Sequence, residues 1–301
     1  MDKLEIVATA YDTENSCEYI KFNDKYKVTY RKTIDGIKNA SSIVKIKGGY
    51  AIAEEDTNTG KLYLLDDNFN IKECIETGVK GIVYLNYNQK ENILFGGGYT
   101  DGKIFVLKNW QLKVYSKSGE NSSIHCIKYE NNRFYVVNCG EDTLYIYNNK
   151  FEFCDKIAFP ENSKPRHIIF NKNNAYVICE NSNEVYLFDI EPKGLLKFVE
   201  RYKTYDGAKE SYASTLLIKN NRLYALNRGA DLITSFVIQD DGKLMFDRQI
   251  PAYGEYPWEI KTLNDDFFIA NKKSGEISIV DGNYSLVEKI KKQGVNNILT
   301  L

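Results

Sequence analysis

This 301-residue sequence is poor in the groups on which most recognisable chemistry depends. It has two histidines, His125 and His167, and six cysteines with no C-x-x-C pair. Cys17, Cys74, Cys126, Cys139, Cys154 and Cys179 are spread along the chain, so neither close metal-ligand spacing nor a small disulfide frame is present. No metal and no cofactor are expected, and the thiols read as mostly buried groups in a reducing cytoplasm. Charge of one sign is also lacking, with 40 basic residues against 41 acidic ones and a net charge of −1. Without a basic stripe to track phosphates, nucleic-acid partners are disfavoured. No apolar run approaches the roughly 18 residues of a membrane span, so no membrane partner is expected. The start "MDKLEIVATAYDTENS" has no apolar signal core, which places the protein in the cytoplasm. Proline (5) and methionine (2) are scarce, whereas tyrosine (23) and phenylalanine (15) are plentiful, as suits half-buried strands. No segment sustains a 3.6-residue period.

What the sequence does have is a repeat. A short alternating segment recurs as "CEYIKF" from Cys17, "KLYLLD" from Lys61, "KIFVLK" from Lys103, "TLYIYN" from Thr143, "EVYLFD" from Glu184, "LITSFV" from Leu232 and "EISIVD" from Glu276. The steps between starts are 44, 42, 40, 41, 48 and 44 residues. A second apolar run precedes each copy, a third usually lies about nine residues earlier, and a more polar run follows. Gly48–Gly49, Asn131–Asn132, Asn173–Asn174, Asn220–Asn221 and Asp265–Asp266 supply turns between the first two strands. Four short strands every forty-odd residues describe a propeller blade. The sequence therefore predicts an all-β fold: one seven-bladed β-propeller over residues 1–301, built of four-stranded antiparallel blades. The first repeat lacks an inner strand, and "GVNNILTL" (294–301) is left over at the end. Placing this C-terminal strand in the N-terminal blade closes the ring and removes its exposed edges.

In a propeller the starts of the inner strands converge on the channel mouth. That brings His125 and His167, 42 residues apart, together with Trp258 and Glu259. The turns after the second strands reach the same area and add Glu55, Tyr99, Asp142, Glu180, Arg228 and Lys272. The glycine-rich "FGGGYTDG" links two strands with no helix after it, so it is a turn and not a phosphate cradle.

Several segments resemble the seven-bladed propeller lactonases, the family of propeller-type 6-phosphogluconolactonases and 3-carboxy-cis,cis-muconate lactonizing enzymes. "PRHIIFNKNNAYVICENSNEVYLFDI" is similar to the family's Pro-Arg-His strand, and "LYALNRGADLITSFVIQDDGKL" to its Asn-Arg-Gly strand and Asp-Gly-Lys-Leu hairpin. "IHCIKYENNRFYVVNCGEDTLYIY" and "GGGYTDGKIFVL" follow in the matching places. The likeness spans nearly the whole chain. It implies a hydrolase of carbohydrate metabolism that opens a phosphorylated or acidic sugar lactone. His167 would be the general base, Arg228 and Arg166 would bind the anion or oxyanion, and Glu180 or Glu259 would stand in for the missing carboxylate. His125, Trp258, Glu259 and Tyr99 would complete the substrate site. Two departures stand out. The strand expected to carry the family's glutamate reads "YASTLLI", leaving Ser214, Thr215 or Leu216 there, and the family's Pro-Arg-Asp is Pro257-Trp258-Glu259. A non-catalytic propeller binding a small anion or a protein partner is therefore the alternative. A closed propeller leaves the oligomeric state unread.

Overall fold

The computed structural model describes residues 4–12, 14–116, 119 and 121–301. These form seven four-stranded antiparallel sheets. In six blades the strands run outward in chain order, for example Pro165–Asn171, Asn174–Cys179, Glu184–Ile190 and Leu196–Lys203. In the remaining blade Val295–Thr300 is innermost, paired with Glu5–Ala10, then Cys17–Phe22 and Val28–Thr33. The ring is thus closed by the last strand of the chain. Asn296 sews the closure: its Nδ2 donates to Ala40 O of the second blade (2.9 Å), and its Oδ1 accepts from Thr9 Oγ1 (2.7 Å). Among the described residues the one helical segment is a 3₁₀ turn at Pro192–Gly194.

Burial follows the strand order. Second strands such as Gly49–Glu54 and Ile93–Gly98 are buried throughout, while the outer strand Ile71–Glu76 is almost wholly exposed. The apolar clusters lie between blades: Ile6, Ala8 and Ile20 of the first pack against Phe268, Ala270, Ile277 and Ile279 of the seventh. Each blade therefore buries its faces against two neighbours, and closure buries the last pair. The expected turns fall one residue early in three blades, where Ile46 pairs with Gly49, Asn171 with Asn174 and Leu263 with Asp266. Lys172 (φ 52°) and Asn264 (φ 55°) take the left-handed geometry there, since strand register decides which residues turn. All six cysteines are free; Cys74 and Cys154 are exposed and the other four buried.

Candidate functional site

Two rings of side chains, one residue from each blade, build the channel mouth. The upper ring is formed where the second strands end: Tyr11, Glu55, Tyr99, Cys139, Glu180, Arg228 and Lys272. Except for Arg228, which is the last residue of its strand, each donates its backbone N–H to the loop entering the inner strand of its own blade. Examples are Glu55 N to Asn39 O (3.0 Å), Glu180 N to Lys164 O (2.7 Å) and Lys272 N to Tyr256 O (3.1 Å). This fixed backbone turns the side chains over the channel. All but Cys139 line a cavity of about 450 Å³.

The lower ring is made by a β-bulge near the start of every inner strand, at the second residue in six (Asn296, Ser41, Val83, His125, Arg166 and Trp258) and at the third, Ser214, in Tyr212–Lys219. A bulged residue leaves the ladder and is re-aimed. The small members clasp the next blade, with Ser41 Oγ donating to Ile82 O (2.5 Å) and Ser214 Oγ to Pro257 O (2.9 Å). Val83, His125 and Trp258 line the cavity, together with Asn39 and Thr57 from loops.

This register separates the two histidines. Ile124 pairs with Asn138 and Cys126 with Val137, whereas Pro165 pairs with Cys179 and His167 with Ile178. The blade step here is therefore 41 residues, and His125 corresponds to Arg166, not to His167. His167 falls one place deeper, where side chains accept backbone hydrogen bonds from the next blade. Leu85 N donates to Ser42 Oγ (3.1 Å), Ile168 N bonds Cys126, and Leu216 N donates to His167 Nδ1 (3.3 Å). With Nδ1 accepting, the proton of the neutral ring sits on Nε2. His167 is not among the residues lining the cavity; it contacts Thr215 Oγ1 (3.4 Å) and lies 6.2 Å from the Tyr84 ring. Glu259 shares this deeper layer, bonded to Lys261 Nζ (3.2 Å) and Ile260 N (3.0 Å). The same register puts Thr215, one of the three residues standing where the family resemblance implies a glutamate, beside His167.

Of the other expected residues, Glu55, Tyr99, Glu180, Arg228, Trp258 and Lys272 line the cavity, while Arg166 lies buried outside its lining. Glu180 Oε2 forms ion pairs with Arg228 Nη2 (2.8 Å) and Arg166 Nε (3.2 Å). The second contact is an ion pair without hydrogen-bond alignment, which leaves the buried Arg166 Nε–H unbonded. Both guanidiniums are almost fully buried and grip backbone carbonyls: Arg166 that of Ser214, Arg228 those of Tyr212 (3.3 Å) and Ala213 (3.1 Å). The ring of Trp258 lies 4.8 Å from Arg228 Cζ, 5.3 Å from Arg166 Cζ and 4.0 Å from Lys272 Nζ, so it is surrounded by cations. Tyr99 meets His125 edge to face, with centroids 6.0 Å apart. Asp142 is directed elsewhere and caps the loop before Pro165 by accepting from Lys164 N (2.7 Å) and Asn162 N (2.7 Å). Tyr11, Asn39, Thr57 and Val83 are cavity residues that sequence reasoning missed. Tyr11 and Val83 carry a signal in hindsight, because they occupy the repeat positions of Glu55 and His125.

Burial lowers the pKa of His125 well below the ordinary histidine range, and Arg166 and Arg228 add to the effect. The pKa of His167 is lowered by burial first, then by Lys128 and Lys261. Both imidazoles are therefore neutral at neutral pH. Arg166 is brought down to about 10 by burial and the charge of Arg228. Burial raises the Glu55 carboxyl, a shift opposed by a hydrogen bond from Tyr11 and by Lys272. Among the described residues no cluster of His, Cys, Asp and Glu could hold a metal ion.

The architecture is that of a seven-bladed β-propeller with an ionisable, aromatic-lined mouth. The model of the lactonase family of seven-bladed β-propellers matches residues 5–293, and the chain belongs to that family. An uncharacterised protein of Staphylococcus epidermidis is 27% identical to it, covering 97% of this chain and 91% of the relative. A Staphylococcus aureus relative is 23% identical over 93% and 88%. Among solved structures it is similar to the Pseudomonas aeruginosa periplasmic gluconolactonase, with TM-score 0.87, 16% identity and coverage of 100% and 99%. A putative 6-phosphogluconolactonase from Bacteroides fragilis gives TM-score 0.84 and 17% identity, covering 99% and 98%. At these identities the structural likeness speaks for the fold. No helix among the described residues is long and apolar enough to cross a membrane.

Proposed function

We propose that the mouth binds and hydrolyses an acidic or phosphorylated sugar lactone, with His125 as general base. The observation that carries this is a neutral imidazole on the cavity wall beside an arginine held in place by Glu180. A neutral imidazole accepts a proton from water as the oxygen attacks the lactone carbonyl carbon. The Arg228 guanidinium, already oriented, stabilises the oxygen that gains charge. When the tetrahedral species collapses, the ring C–O bond breaks and the imidazolium returns the proton to the leaving oxygen. Arg166, Arg228 and Lys272 against Glu55 and Glu180 leave one net positive charge at the mouth, which favours a substrate with one anionic group. Family membership supports the reaction class, and Trp258 and Tyr99 give the sugar apolar surfaces.

The second reading, a propeller that binds a small anion without turning it over, is favoured by Thr215, which supplies no carboxylate beside His167. The two readings separate on hydrolysis of 6-phosphogluconolactone above its spontaneous rate. Catalysis predicts acceleration that His125→Ala abolishes; equal rates with and without the protein would leave only binding.

A further inference from the structure

Lys272 differs from the other cations at the mouth. Arg166 and Arg228 are committed to Glu180 and to backbone carbonyls. Lys272 Nζ instead rests against two aromatic faces, 4.0 Å from the Trp258 centroid and 4.4 Å from that of Tyr11, and the two rings meet edge to face at 6.3 Å. Among the described residues it forms no ion pair with a carboxylate. The acid acting on it is Glu55, which is hydrogen-bonded by the Tyr11 hydroxyl. Glu55 and Lys272 both line the cavity. A desolvated ammonium held by π-faces, with one carboxyl nearby, is a site for an exchangeable anion.

We propose that Lys272 anchors the anionic group of the ligand and that Glu55 is its internal counter-ion, displaced electrostatically when the ligand binds. This rests on the reading of the mouth as the ligand site and assigns the charged end of the ligand within it. The groups facing Glu55 are Tyr11 of the first blade and Lys272 of the seventh, with Arg228, Glu180 and His125 around the same cavity and the charge of the buried Arg166 acting on Tyr11 and Lys272. A ligand anion beside Lys272 makes the charged form of Glu55 less favourable. Binding is then coupled to proton uptake by Glu55, and affinity falls as pH rises. The burial-raised pKa of this carboxyl is consistent with that coupling.

The test is calorimetric titration of the intact protein with 6-phosphogluconate and with gluconate, each in two buffers of different ionisation heat. The wild type is expected to take up as much as about one proton per ligand. Lys272→Met should weaken binding about tenfold or more, while Lys272→Arg stays within a few-fold. Glu55→Gln, which keeps a partner for Tyr11, should bind several-fold tighter and lose most of the proton uptake; His125→Asn in the same assay accounts for any share of the imidazole. Lys272→Met binding like the wild type, Glu55→Gln with unchanged proton uptake, or no wild-type binding of either anion would overturn the proposal. Hydrolysis is read separately. Anion binding without lactone turnover defeats the catalytic reading alone, and turnover indifferent to Lys272→Met defeats this inference alone.

Discussion

His125 and His167 stand on neighbouring inner strands and differ by a single place in register. The bulge in the fourth blade releases His125 from the ladder and puts its ring on the cavity wall. In the fifth blade the bulge falls on Arg166, so the next residue, His167, returns to the ladder and its Nδ1 takes a hydrogen bond from Leu216. Two identical side chains thus acquire different places, one facing the cavity and one tying blades together. In a repeat fold the role of a residue follows its place in the repeat more closely than its type.

The largest expected effect is kinetic. His125→Ala should lower lactone hydrolysis by about 10²–10⁴-fold, the usual worth of a positioned acid–base group, with thermal stability little changed. Next in size is the support for the arginines. Glu180→Gln leaves two buried guanidiniums uncompensated and should cost about 3–5 kcal/mol in denaturant unfolding. His167→Ala removes the acceptor of a buried amide and should cost about 1–3 kcal/mol of stability, while hydrolysis by the folded protein changes less than with His125→Ala.

The pH response has a defined sign. Both histidines are held below their unfolded pKa, so folding leaves them with fewer protons than the unfolded chain below about pH 6.5. Their contribution to stability is complete above that value and is lost as pH falls through the folded pKa values. Replacing either by Asn should flatten the acid side of the stability curve, measured by urea midpoint against pH. The smallest effect is expected for Cys126→Ser, which occupies the place of His167 one blade earlier. Since Ser42 already performs that bond in the second blade, the change should stay within about 1 kcal/mol.

Most of the fold was legible because the seven copies from Cys17 to Glu276 mark the third strands directly, and the unpaired segment after Gly294 announced the closure. The upper ring was legible for the same reason: Glu55, Tyr99, Glu180, Arg228 and Lys272 each follow a recognisable apolar run. The depth of the histidines was not. A spacing of 42 looks like one blade step, and only the paired backbone reveals that the step at this strand is 41 and that each inner strand carries a bulge. Tyr11 and Val83 escaped notice because neither side chain advertises chemistry, although their repeat positions are those of Glu55 and His125. Asp142 was misplaced for a local reason: its carboxylate is spent on two backbone N–H groups of a turn.

The most direct test of this division of labour is to compare His125→Asn and His167→Asn in one assay of 6-phosphogluconolactone hydrolysis, corrected for the spontaneous rate. The account predicts that His125→Asn loses nearly all enzymatic acceleration while His167→Asn, once folded, keeps kcat/KM within about tenfold of the wild type. Loss with His167→Asn and retention with His125→Asn would contradict it, as would a wild-type protein that accelerates nothing.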